Sequence, residues 1–340
     1  MRAASVPSPF AWPTAARTRY GRLMEQHLTV RTSDGWQLPM RRIRGAGVPV
    51  LLLHGFGANG FVLGPERGPS LARHLADRGR DVFSLDFRGT RASVAPSGQG
   101  IAGVDVDAKI QLDLPAAIDL VLRETGAARL DVVGFSLGGT ILYAYLAHRG
   151  EEQVRRAVTL GSPLRFRFPL AAKLLGSVCA VDAVRRVLPQ RLPMRGFTEL
   201  GASTHIEFPA RPHFNLANID RPVLYDMMRL GTEDASLSEL LQIIRWSERG
   251  RVDSRDGAVD YLARLPEVRT PLLLIGGTAD QHVDPRWLRE LLRLVGSREK
   301  ELVLVGKAHG TRHDYGHTDL LLGARVADEV FPHIERWLAR

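Results

Sequence analysis

The chain has 340 residues and one cysteine, enough for one large domain or two ordinary ones, with no intramolecular disulfide and no Cys-rich metal framework. Its 44% apolar and 24% charged residues exclude a disordered chain, and no run approaches the ~18 apolar residues of a membrane-spanning helix. The formal charge of +9 comes from dispersed arginines, with only Lys109, Lys173, Lys300 and Lys307 as lysines, so a nucleic-acid groove is not expected. A loose, salt-sensitive contact with anionic membranes stays compatible with such a surface.

Residues 1–24 read as an irregular arm. Pro7, Pro9 and Pro13 interrupt the apolar stretch that a secretory signal needs, so a cytoplasmic protein is expected. Residues 26–32 and 36–43 flank Ser33-Asp34-Gly35, a hairpin signal. Pro39 suggests that the second run is an edge strand, since proline cannot donate to a ladder. Beyond it, apolar runs at 48–55, 81–86, 129–134, 154–161, 271–277 and 300–306 read as strands. Helical patterns fall at 70–79, 107–125, 137–150, 285–296 and 324–339, with Pro115 predicting a kink or restart in the second. Strand–helix alternation with continuously apolar strands predicts a doubly wound, mostly parallel α/β sheet covered by helices on both faces. The alternation breaks over 163–268, too long for a loop and rich in proline, Phe166, Phe168, Phe197, Phe208, Phe214, Met227 and Met228. An inserted, mainly helical cap is expected there, between core segments 25–162 and 269–340.

Gly134-Phe135-Ser136-Leu137-Gly138 lies between a strand and a helix, the context a G-x-S-x-G nucleophile requires. Small neighbours let strand and helix approach, and a sharp turn lifts the serine hydroxyl above the sheet. His54-Gly55-Phe56-Gly57 follows an early strand, where such architectures supply an oxyanion amide. The backbone N–H groups of Phe56 and Leu137 are the expected pair of donors. His54 is expected to order this loop, because the hydrolase chain order puts the base last. Asp280 follows the strand at 271–277 and is the expected orienting acid, while Asp284, before Pro285, suits a helix cap. His309, His313 and His317 follow the last strand, and spacing alone does not choose the base among them. Their four-residue intervals also admit a metal face, which Gly310 and Gly316 disfavour by making a continuous helix poor.

Several strings resemble the α/β-hydrolase superfamily, nearest to bacterial relatives of the acid lipase and polyhydroxyalkanoate-synthase-like branches. They are LTVRTSDGWQLPMRRI (28–43), LDFRGTRAS (85–93), LDLPAAIDLVLRETGAARLDVVGFSLGGTILYAYLA (112–147), GGTAD (276–280) and YGHTDLLLG (315–323). The resemblance covers most of 25–340 and is weakest in the cap. It implies the α/β-hydrolase fold, His317 as catalytic base with His309 as fallback, Asp280 as its partner, and a structural Asp319. Phe135 stands where these lipases often have histidine, and its side chain is expected to shape the pocket floor. Ser136 stands where the polymer synthases have cysteine, while the only cysteine, Cys179, falls in the cap segment. The same serine disfavours relatives with an aspartate nucleophile.

The expected function is hydrolysis of a carboxylic ester, with an apolar or lipid-like acyl group, through Ser136, His317 and Asp280 and an acyl-enzyme. No metal or organic cofactor is required. A serine acyltransferase or thioesterase on the same scaffold differs only in the acyl acceptor. A binding protein that has kept the fold is the third reading. Substrate identity and oligomeric state are not encoded in any motif.

Overall fold

The computed structural model describes residues 25–101, 104–150, 152–165, 190–207 and 212–340. The expected arm at 1–24, together with Cys179, Phe166, Phe168 and Phe208, lies outside them. Among the described residues, eight strands form one sheet in the order β1-β2-β4-β3-β5-β6-β9-β10. They are β1 (Glu25–Arg31), β2 (Gln37–Ile43), β3 (Pro49–Leu53), β4 (Asp81–Leu85), β5 (Leu130–Phe135), β6 (Val154–Leu160), β9 (Leu272–Gly277) and β10 (Lys300–Val305). β1 and β2 pair antiparallel, as do β2 and β4, and from β4 to β10 every pairing is parallel. Two short strands, β7 (Arg191–Leu192) and β8 (Ala235–Ser236), pair in the segment between β6 and β9.

Strand side chains alternate between two buried clusters, which explains the continuous apolar runs. Leu51, Leu53, Val132 and Leu274 face one, which the helices Leu114–Thr125 and Leu137–Arg149 cover. Val50, Leu52, Val133 and Ile275 face the other, which the helices Leu71–Ala76 and Phe331–Ala339 cover. Each face hides its apolar side chains from water, the main favourable term in folding.

Two sequence expectations are refined. β2 is not an edge strand, since it pairs with β1 on one side and β4 on the other. Pro39 is tolerated because its carbonyl accepts from Asp86 N–H (2.9 Å), so its ring nitrogen faces the same side, just beyond the end of the β2–β4 ladder at Met40–Leu85. The helix at 106–125 continues through a π turn at Lys109–Asp113 immediately before Pro115. The wider turn loosens the regular ladder where proline lacks an N–H, giving a restart rather than a break.

The segment between β6 and β9 contributes the helices Met194–Ser203, Arg221–Asp226 and Leu237–Arg249 among its described residues. Its apolar side chains join both clusters: Phe214, Leu224 and Met228 one, Ile243, Trp246 and Tyr261 the other. Among the described residues, no helix is long and apolar enough to cross a membrane.

Candidate active site

Ser136 is the single residue between β5 and the helix Leu137–Arg149, with φ 53° and ψ −123°. L side chains rarely adopt this conformation, and one held in it stores strain of about 1–3 kcal/mol. Ser136 N–H donates to Leu160 O (2.8 Å), continuing the β5–β6 ladder to the turn itself. The turn is tight because helix and strand nearly touch. A Cβ on Gly138 would lie 2.5 Å from His54 O and 2.7 Å from Leu53 O, and one on Gly134 2.6 Å from the Gly139 backbone.

The hydroxyl of Ser136 donates to Nε2 of His317 at 2.8 Å, and Nδ1 of His317 donates to Asp280 Oδ2 at 2.7 Å. The carboxylate fixes the proton on Nδ1, which leaves the Nε2 lone pair facing the serine. Asp280 follows β9 and accepts through Oδ1 from the N–H groups of His282 (2.8 Å) and Val283 (3.0 Å). Burial pushes its carboxyl up, but the His317 imidazole and the His282 N–H outweigh this and hold it below its ordinary value. It therefore stands ionised beside the imidazole.

His317 sits on the loop after β10, and its neighbour Asp319 explains how that loop is held. Asp319 is fully buried and accepts from Gly316 N–H (2.9 Å), Asn218 Nδ2 (3.1 Å) and Asn215 N–H (3.3 Å). Burial raises its carboxyl to about 6 despite those donors. Asp319 thus ties the loop to the segment between β6 and β9. His309 lies exposed on a short turn, Lys307–His309, and His309, His313 and His317 share no helix. Among the described residues, no three His, Cys, Asp or Glu side chains gather as a metal set. Asp284 caps the helix Pro285–Leu294, accepting from Arg286 N–H (2.9 Å).

His54 is buried at the start of the loop after β3. Its Nε2 accepts from Phe87 N–H (3.1 Å), so Nδ1 carries the proton and donates to Gly55 O (2.9 Å). Burial drives its imidazole down to about 3, so it is neutral across the working pH range. It orders the loop that carries Phe56. Leu137 opens its helix, so its N–H has no intrahelical acceptor. Phe56, Leu137 and Ser136 line one cavity of about 430 Å³. Its remaining walls are largely apolar: Phe135, Met194, Phe197, Phe214, Met227 and Met228. The Phe135 ring lies 5.0 Å from that of His317 in the cavity lining.

Arg88 of the Arg-Gly string is a buried structural residue. It donates to Asp113 (2.8 Å) and to Asp34 (2.8 Å) in the hairpin turn. Sequence reasoning missed three polar groups at the site. His282 lies edge-on to His317 (4.9 Å) and stacks on His213 (4.7 Å), and burial and His317 lower its imidazole to about 4. Its place two residues after Asp280 was the available signal. Nothing in the sequence marked His213, which the inserted segment delivers, or Glu233, whose contacts lie around the loop of Phe56.

Residues 48–311 match the alpha/beta hydrolase fold family, and the chain belongs to that family. It is 35% identical to Lipase 3 of Drosophila melanogaster over 156 residues, 41% of this chain and 39% of that protein's length. An esterase from Exiguobacterium antarcticum superposes over 93% of this chain and all (100%) of its own, with TM-score 0.60 and 16% identity. The thioesterase domain from the curacin biosynthetic pathway does so over 93% and 99%, with TM-score 0.61 and 16% identity. At such identities the two structures share the fold. The chain spans well under half the length of Lipase 3.

Proposed function

We propose that the chain is a serine hydrolase of carboxylic esters with an apolar acyl group. The observation that carries this reading is the His317 imidazole, bonded at once to Ser136 and Asp280. The similarity to Lipase 3 agrees with it. His317 takes the Ser136 proton as Oγ attacks the ester carbonyl, and the carbonyl electrons move onto oxygen. The N–H groups of Phe56 and Leu137 receive that oxyanion. Asp280 stabilises the imidazolium, which then gives its proton to the leaving alcohol. Water, deprotonated by the same imidazole, releases the acid from the acyl-enzyme. The segment 163–268 acts as a cap whose Met194, Phe197, Phe214, Met227 and Met228 receive the acyl chain, and the reaction belongs in the cytoplasm. The contact of three side chains far apart in the chain, delivered by the loops after β5, β9 and β10, favours catalysis over a binding role for the fold.

Fluorophosphonate labelling and turnover of nitrophenyl esters test the reading, on the native chain, Ser136→Ala and His317→Ala. Expected are complete loss of labelling in Ser136→Ala and crippled turnover in a folded His317→Ala. Lengthening the acyl chain from two to eight carbons should raise kcat/KM about three- to fourfold per methylene, as about 0.8 kcal/mol of burial implies. A folded native chain that neither labels nor turns over an ester refutes the hydrolase. Acyl transfer to an added alcohol or thiol in preference to water would make it a transferase instead.

A further inference from the structure

Phe56 lies in a loop bracketed by Gly55 and Gly57, and Gly57 has φ +60°, a region that favours glycine. Such a loop does not hold an amide in place by itself. The fastening comes from the inserted segment. Glu233 N–H donates to Gly57 O (2.8 Å), Asn59 N–H donates to Gly231 O (3.2 Å), and Ala58 bridges Thr232 in antiparallel fashion. The loop after β3 is thereby hydrogen-bonded, residue by residue, to 231–233.

The side chain of Glu233 extends this. It is 4% exposed, and its carboxylate accepts three hydrogen bonds. Asn59 Nδ2 donates to Oε1 (2.6 Å), Arg91 Nε donates to Oε1 (2.8 Å), and Arg91 N–H donates to Oε2 (3.0 Å). Arg91 follows β4, and its Nη2 also donates to Leu230 O and Thr232 O, both at 3.0 Å. One buried carboxylate therefore ties together the loop after β3, the loop after β4 and the inserted segment. An apolar side chain packed there would serve stability as well, since a buried ion pair is weak evidence for a stabilising role. What the charged, directional arrangement adds is a fixed position for the loop.

We propose that Glu233 is a positioning residue for the oxyanion hole, fixing the Phe56 N–H toward the oxygen that forms when Ser136 adds to a carbonyl. The proposal rests on the serine-hydrolase reading. An oxyanion exists only in the transition state and the tetrahedral adduct, so loosening its donor lowers kcat and leaves substrate binding nearly unchanged.

Glu233→Gln keeps the size and one acceptor oxygen but removes the charge. The native chain, Glu233→Gln and Ser136→Ala are compared in steady-state hydrolysis of a nitrophenyl butyrate. They are also compared as adducts of a trifluoromethyl ketone carrying ¹³C at its carbonyl. Ser136 Oγ bonds to that carbon, His317 takes the hydroxyl proton, and the resulting hemiketal oxygen occupies the hole. Its ionisation, followed by the ¹³C shift against pH, reports how well the hole holds a negative oxygen.

Expected for Glu233→Gln are a kcat about 10- to 100-fold lower, a KM within about twofold, and a hemiketal that ionises one or more pH units higher. A folded variant with native kcat, a loss confined to KM, or a hemiketal that titrates as in the native chain overturns the proposal. If Glu233→Gln does not fold, Arg91→Lys keeps the charge while removing the Nε donor, and the same three readings decide. A native chain that forms no adduct overturns the serine reading and the role of Glu233 with it. An adduct that persists in Ser136→Ala overturns the serine reading likewise, whereas one that Ser136→Ala abolishes leaves the role of Glu233 alone under test.

Discussion

At the scale of single residues, charge is placed by burial. Asp86 is buried beside the loop after β3 and accepts from Gly60 N–H at 2.6 Å. Burial raises its carboxyl from 3.8 to about 6, with nearby Glu233 adding to the effect. The folded chain therefore binds this proton more tightly than the unfolded chain does. The resulting cost is absent below pH 4, grows as the pH rises through this window, and is complete above about 6. Asp86→Asn, which still accepts from Gly60, should gain up to about 3 kcal/mol at pH 7 and nothing at pH 3.5. Urea unfolding at both values checks it, and an equal effect at the two would refute the assignment. The site residues differed in legibility for physical reasons. Ser136 was readable because a tight turn needs small neighbours within two positions of it. His317 needed a family resemblance, because a loop conformation, not spacing, brings it rather than His309 to the serine. Glu233 was silent, since its partners Asn59 and Arg91 lie 174 and 142 positions away.

At the scale of elements, the strand–turn–helix unit around Ser136 is set by backbone contact. A methyl group on Gly138 would meet two carbonyl oxygens of the β3 end, and neither can rotate aside. Gly138→Ala should therefore push the helix off the sheet, costing about 1–3 kcal/mol and displacing the Leu137 amide. Thermal unfolding and ester turnover measured together would check this, and native turnover would contradict it. Strand and helix placement was legible from apolar runs and stop signals because both faces of the sheet are buried. Pro39 misled for a definable reason. Proline excludes a donor on one side of a strand only, and here that side lies past the end of a ladder. An interior strand can carry a proline at such a place.

At the scale of the molecule, the described residues between β6 and β9 form a segment welded to the sheet's own cores. Its helix Leu237–Arg249 places Ile243 and Trp246 in the cluster that backs β5 and β6. Gln242 receives Val106 N–H (3.0 Å) and donates to Asp107 (2.7 Å), while Glu239 forms a buried ion pair with Lys109. Trp246 is fully buried and donates to Asp253 O at 2.6 Å. Trp246→Ala should cost about 3–5 kcal/mol and lower a single unfolding transition of the whole chain. Two separate transitions in calorimetry would show an independent unit instead. The segment between β6 and β9 was legible as the place where strand–helix alternation stops. Its fusion to both cores was not, because hydrophobic composition does not say which face of which sheet a side chain joins.

The backbone angles of Ser136 carry an evolutionary consequence. Position 136 is one at which glycine would rest more comfortably than any nucleophile. A mutant library sorted by heat survival alone would drift toward an inert turn there. On the serine-hydrolase reading, thermal hardiness and turnover are opposed at this residue.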